Sequence, residues 1–180
     1  MRAAALIAIG LGLGSPAAAA VIDAQPGGFE VREQAQIAAP PERVYAAIGQ
    51  IDRWWSRQHT YSGDARNLSL DLKAGGCFCE RLKEGGAARH MSVILVQPDT
   101  TVRLEGALGP LATTGGTGHL TFALSAKDAG TTLVLTYDFG GYAKDGMDKW
   151  AAPVDQVLGE QLDRLKRYIE TGQPDTHGGL

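Results

Sequence analysis

The stretch "GGCFCERLKEGGAARHM", residues 75–91, collects residue types that can do chemistry: Cys77, Cys79, Glu80 and His90, joined by a glycine-rich turn. If Glu84, Gly85 and Gly86 close a three-residue loop, Lys83 opposes Ala87 and, counting inward, Glu80 opposes His90. Phe78, Glu80 and Leu82 then share one strand face with His90, while Cys77, Cys79 and Arg81 share the other. A carboxylate facing an imidazole across a strand pair orients it, giving a base, an acid or a ligand anchor. The apolar Phe78 and Leu82 favour that face looking inward. The competing reading is a solvated cross-strand ion pair worth roughly a few tenths of a kcal/mol.

The thiols point to less. Cys77 and Cys79 are two apart, so in an extended strand their Cα atoms lie near the upper limit for a disulfide, and free thiols are expected. Zinc needs three or four convergent ligands, and the expected register sets His90 on the face opposite the thiols. His59 and Glu80 could join His90 instead, but no two histidines have the helical spacing of a zinc signature. Neither a metal nor a cofactor is expected.

"RWWSRQHTYSGD", residues 53–64, is a second constellation. Trp54 and Trp55 point about 100° apart on a helical turn, so they cannot fill one core slot. One belongs in the core, and the other can line a cavity mouth with His59 and Tyr61; the bland alternative is that both cap the sheet. "GALGPLATTGGTGH", residues 106–119, lacks Gly-Lys-Ser/Thr and a following helix, so it is no phosphate loop but a flexible strand connection bordering a cavity. No nucleophile elbow or cysteine-protease motif is present.

These side chains must be positioned by elements of two periods. "FEVREQAQIAAP" alternates as a half-buried strand does, with Phe29, Val31 and Ile37 apolar. "PPERVYAAIGQIDRWW" shifts to helical spacing, with Pro41 and Glu42 suited to a first turn and Val44, Ile48 and Ile51 along one face. From Asn67 to Phe139, six or seven strands follow one another between turns. Leu120, Phe122 and Leu124 mark the inward side of one, and Leu133, Leu135, Tyr137 and Phe139 that of its neighbour. Val154, Leu158, Leu162, Leu165 and Ile169 then form a helical stripe, with Pro153 starting that helix or kinking one begun near Asp145. Helices at the ends of an antiparallel run imply an α+β fold.

The N-terminus sets the compartment. Met1-Arg2, an apolar run from Ala3 to Gly14 too short to span a bilayer, and Ala18-Ala19-Ala20 read as a secretory signal peptide cut near Ala20. An uncleaved membrane anchor or a cytosolic start are the alternatives. The expected organisation is a leader at 1–20, a linker at 21–28, one domain at 29–171 and a flexible tail at 172–180. Without Arg2, the formal charge of −3 becomes about −4. That balance does not suit nucleic acid or an anionic membrane surface, and no second run is long enough for stable membrane insertion.

The element order, "APPERVYAAI", the tryptophan pair, "GGCFCE", "GALGPL" and "PVDQVLGEQLDRLKRYIE" together resemble the SRPBCC or START-like helix-grip superfamily. Within it, the likeness is to bacterial homologues of the activator of heat-shock-protein-90 ATPase and to polyketide cyclase/dehydrase-like proteins. It covers about residues 29–171. The resemblance implies a curved antiparallel sheet wrapped around a long C-terminal helix, a ligand cavity between them, and an entrance near the loop after the tryptophan pair.

An exported binder of a small apolar or amphipathic molecule is therefore the leading expectation. Trp54, Trp55, Tyr61, Phe78, Leu120, Phe122 and Tyr137 are its candidate walls, with His59, Glu80 and His90 as polar anchors. The first alternative is a cyclase, dehydratase or hydrolase-like enzyme using Glu80 and His90 as an acid/base pair. The second is a protein-interaction module of the chaperone-activator type, which export disfavours because the cytosolic chaperone and its ATP would be absent.

Overall fold

The computed structural model describes residues 20–176. The expected leader up to residue 19 and the last four residues of the tail lie outside the described residues. Strands β1 (Ala20–Gln25) and β2 (Gly28–Ile37) lead into helices α1 (Pro41–Gly49) and α2 (Ile51–Trp54). Then come β3 (Leu68–Leu70), β4 (Cys77–Arg81), β5 (Ala87–Gln97), β6 (Thr101–Gly106), β7 (Gly115–Lys127) and β8 (Gly130–Tyr142), followed by α3 (Asp148–Thr171). The eight strands form one antiparallel sheet in the order β1-β2-β8-β7-β6-β5-β4-β3. The α+β helix-grip architecture is as expected. Among the described residues, no helix is long and apolar enough to cross a membrane.

Alternation dictates the buried side of the sheet. In β2, Phe29, Val31, Ala35 and Ile37 face inward, and in β8 Leu133, Leu135, Tyr137 and Phe139 do the same. β2 closes the sheet against β8 over its full length, from Gly28 opposite Gly140 to Ile37 opposite Thr131. α3 lays Leu158, Leu162, Leu165 and Ile169 into the resulting trough, and stops where Gly172 adopts a left-handed conformation (φ 80°) and its N–H bonds the Tyr168 carbonyl. Glu33 has the inward parity of β2, and Gly159 lets α3 pass over it: a Cβ there would sit 3.2 Å from a Glu33 carboxylate oxygen.

Two expectations are corrected, and two are made definite. Residues 21–28 are not a linker: most of them form edge strand β1, paired to β2. Six strands, β3 to β8, follow Asn67, within the expected six or seven, and the expected β2 with the added β1 brings the sheet to eight. Of the two alternatives for Pro153, the second holds: α3 starts at Asp148, so Pro153 lies inside it and removes the bond that would reach the Lys149 carbonyl. The β4–β5 connection is two residues wider than expected, with Arg81 and not Lys83 opposite Ala87; Glu84 and Gly85 take positive φ inside it, and Leu82 N–H bonds the Gly86 carbonyl.

That hairpin also carries a β-bulge. Phe78 pairs with Met91 but Cys79 pairs with Arg89, leaving His90 as an extra residue in β5. Counted from the wider loop, Glu80 opposes Ala88 and not His90. The bulge turns His90 and Met91, adjacent in sequence, both inward.

The thiols are corrected as well. Cys77 and Cys79 are joined as a disulfide, their Cα atoms 5.3 Å apart. Two residues of regular strand span about 6.6–6.8 Å, so β4 is contracted where it meets the bulge, and this brings the sulfurs within bonding reach.

Candidate functional site

The site is assembled from the bulge outward. Glu80, its side chain fully buried, accepts a hydrogen bond from the His90 ring, Oε2 to Nε2 at 2.9 Å. Two backbone donors complete its shell: Tyr61 N–H reaches Oε2 at 3.1 Å, and Ser62 N–H reaches Oε1. Burial alone would push this carboxyl up, yet hydrogen bonds from Ser62, Tyr61 and His90 together hold it below the usual carboxylate range. With an ionised acceptor on Nε2, the neutral imidazole keeps its proton there and its lone pair on Nδ1.

His90 is clamped between aromatic rings. Tyr61 stacks on it, centroids 5.3 Å apart at 20° between planes, and Phe78 lies 4.9 Å away. Tyr61 O–H donates to the Gly109 carbonyl at 2.7 Å, tying the loop after α2 to the β6–β7 loop across the mouth. Burial, and then the Glu80 charge, raise the Tyr61 phenol pKa.

Behind this clamp lies a cavity of about 380 Å³, within the range of small-molecule sites. Trp55, Phe78 and His90 form one wall, and Leu108, Pro110 and Leu111 a second. The N-terminal half of α3 forms the third, with Trp150, Pro153, Val154, Val157 and Leu158. His59 stands at the rim, where its Nε2 meets Glu160 Oε2 at 3.0 Å; both side chains are part-exposed, so this pair is weak compared with the buried one.

The structure thus brings together Trp55, His59, Tyr61, Phe78 and His90 on the lining, with Glu80 immediately behind His90. Trp54 is core: its indole N–H donates to the Ala47 carbonyl at 2.8 Å. Leu120, Phe122 and Tyr137 are also core and do not line the cavity. They face inward as expected, but an inward position says nothing of which stretch of the sheet the helix seals. Tyr137 is held there by its hydroxyl, which donates to the Gly106 carbonyl and accepts from Leu108 N–H, and burial raises its pKa strongly.

Trp150 and Val157, both on α3, also line the cavity, and neither was among the candidate walls. Among the described residues, no group of three or more His, Cys, Asp or Glu is arranged to hold a metal.

Residues 28–170 match the family model described as polyketide cyclase / dehydrase and lipid transport. No curated protein matches the sequence. Among solved structures, CalU16 from Micromonospora echinospora is similar with a TM-score of 0.56 at 15% identity, over 87% of this chain and 86% of that one. Aha1 from Colwellia psychrerythraea, solved in solution as a dimer, gives 0.54 at 18% identity, over 79% of this chain and 97% of that one. An uncharacterized protein from Rhizobium leguminosarum gives 0.55 at 23% identity, over 79% and 94%. At such identities, the likeness speaks for the fold alone.

Proposed function

Since the chain belongs to the polyketide cyclase / dehydrase and lipid transport family, we propose that it is an exported protein that holds a small apolar or amphipathic molecule between its sheet and α3. The observation that carries this reading is the 380 Å³ cavity walled by Trp55, Phe78, Leu111, Val157 and Leu158, with a single buried polar pair at its edge. Apolar walls supply the affinity, and one convergent polar group fixes orientation. His90 is that group, and a ligand hydroxyl or carbonyl is the chemistry it suits.

The test is to purify the protein from the exported fraction and compare native with denaturing mass spectra. The expected result is a chain beginning near Val21 with a small molecule that is lost on denaturation. Val157→Trp, which fills the cavity from α3, is expected to weaken binding of that molecule, or of an apolar fluorescent probe, at least tenfold, about 1.4 kcal/mol. An unchanged affinity would place the ligand elsewhere.

A second reading is supported by the Glu80–His90 geometry. A carboxylate saturated with donors and held ionised fixes the imidazole tautomer, as a general base requires. In that reading His90 Nδ1 removes a proton from the bound molecule and returns it during cyclisation or dehydration. A bound molecule that emerges chemically unchanged after prolonged incubation would count against it.

A further inference from the structure

The Cys77–Cys79 disulfide lies outside the cavity lining. It lies within a single strand and closes a loop of only three residues, so it removes little freedom from the unfolded chain and cross-links no two elements. Both cysteines are half-buried on the outer face of the sheet, reachable from solvent. Arg89 is the cross-strand partner of Cys79 and is exposed on that same face. A cation beside a sulfur favours its thiolate, which makes it a better leaving group in exchange.

The residue between the two cysteines is Phe78, which is 2% exposed, lines the cavity and packs against both His90 and Trp55. The β4–β5 register shift falls between Phe78 and Cys79. The disulfide therefore spans the contracted step of β4 that leaves His90 bulged and turned inward.

The geometry points to a redox-active couple: Cys77 and Cys79 exchange with an external thiol, and their redox state sets the bulge that aims His90. A thiolate attacks one cysteine sulfur, forming a mixed disulfide and releasing the other cysteine as a thiolate, which takes a proton. A second thiol then attacks the mixed disulfide, leaving two protein thiols and one oxidised external disulfide, a two-electron exchange in all. Once the bond is open, β4 is free to extend towards regular strand spacing, and the pressure for an extra residue in β5 falls.

The experiment uses the full-length protein with reduced glutathione, trapped with iodoacetamide under native conditions, and needs no cavity ligand. The expected result is a mass gain of two carbamidomethyl groups per chain and a change in the His90 imidazole NMR shifts, both reversed by oxidised glutathione. Arg89→Gln is expected to slow reduction about threefold. In the Cys77→Ser/Cys79→Ser variant, the His90 shifts should ignore glutathione altogether. Three results would overturn the proposal: alkylation only after unfolding, thiols that do not close with oxidised glutathione, or full alkylation with the His90 shifts unmoved. Because neither readout involves a bound molecule, an empty cavity would sink the binding reading and leave this one standing.

Discussion

Glu80→Ala is expected to lower the folding free energy by about 3–5 kcal/mol and to abolish the ordered mouth of the cavity. The carboxylate is the common acceptor of Tyr61 N–H, Ser62 N–H and the His90 ring, and nothing else among its neighbours can replace it. Its removal leaves a buried imidazole and two loop amides without a partner, and the Tyr61 ring loses the backbone anchor that lays it on His90. Glu80→Gln keeps one acceptor oxygen and should lose roughly half as much. Denaturant unfolding at neutral pH measures both. Because the fold holds this carboxyl below its unfolded value of 4.5, its stabilisation is present above that pH and fades as pH falls through the folded value. The deficit of Glu80→Ala should therefore shrink in acid, and a deficit independent of pH would show that the ionised carboxylate is not its source.

Glu33 should produce the opposite slope. It is 1% exposed between β2 and α3, no donor reaches either of its oxygens, and Asp155 Oδ1 nearby is equally without one. A protonated Glu33 supplies the one hydrogen the pair lacks. Burial first, then the charge and hydrogen bonding of Asp155, then the charge of Asp163, push its carboxyl up to about 7 from 4.5. Between those two values the folded protein binds a proton that the unfolded chain does not. Stability from this group is therefore complete below pH 4.5 and lost as pH rises through 7, by up to about 3 kcal/mol. Glu33→Gln keeps the shape and cannot ionise, so its advantage over the parent should be near zero at pH 4.5 and greatest at pH 8. Parallel stability curves for the two proteins across that range would refute the assignment.

These two carboxylates also show what could be read from residues alone. Glu33 was legible and overlooked: it shares the parity of Phe29, Val31, Ala35 and Ile37, so strict alternation places it inward. The proximity of Glu80 to His90 was legible too, but for a partly mistaken reason. A three-residue loop makes them direct opposites, whereas the wider loop sets Glu80 opposite Ala88 and the bulge turns His90 inward to reach the carboxylate. Alternation has no signature for a bulge, since "HM" inward on both residues breaks the very rule used to read it.

The disulfide was hidden by the same contraction, because regular strand spacing argues against it. The layers of the fold were legible because the period changes cleanly from two to 3.6 at α1 and α3. The cavity wall was less so, because it depends on which turns of α3 stand clear of the sheet, a matter of three-dimensional packing. Thus Val157 and Trp150 line it, while Leu120 and Phe122 are buried in the core away from it.

The pairing of β2 with β8 sets the order in which the chain can fold. β4 to β8 meet their neighbours across short connections, but β2 must wait for a partner made about a hundred residues later. Until β2 arrives, the edge of β8 stands open, with a full row of unpaired amides and carbonyls ready to accept any strand. Closure across so long a loop is slow, so the time between finishing β8 and docking β2 is when this protein is most exposed to self-association.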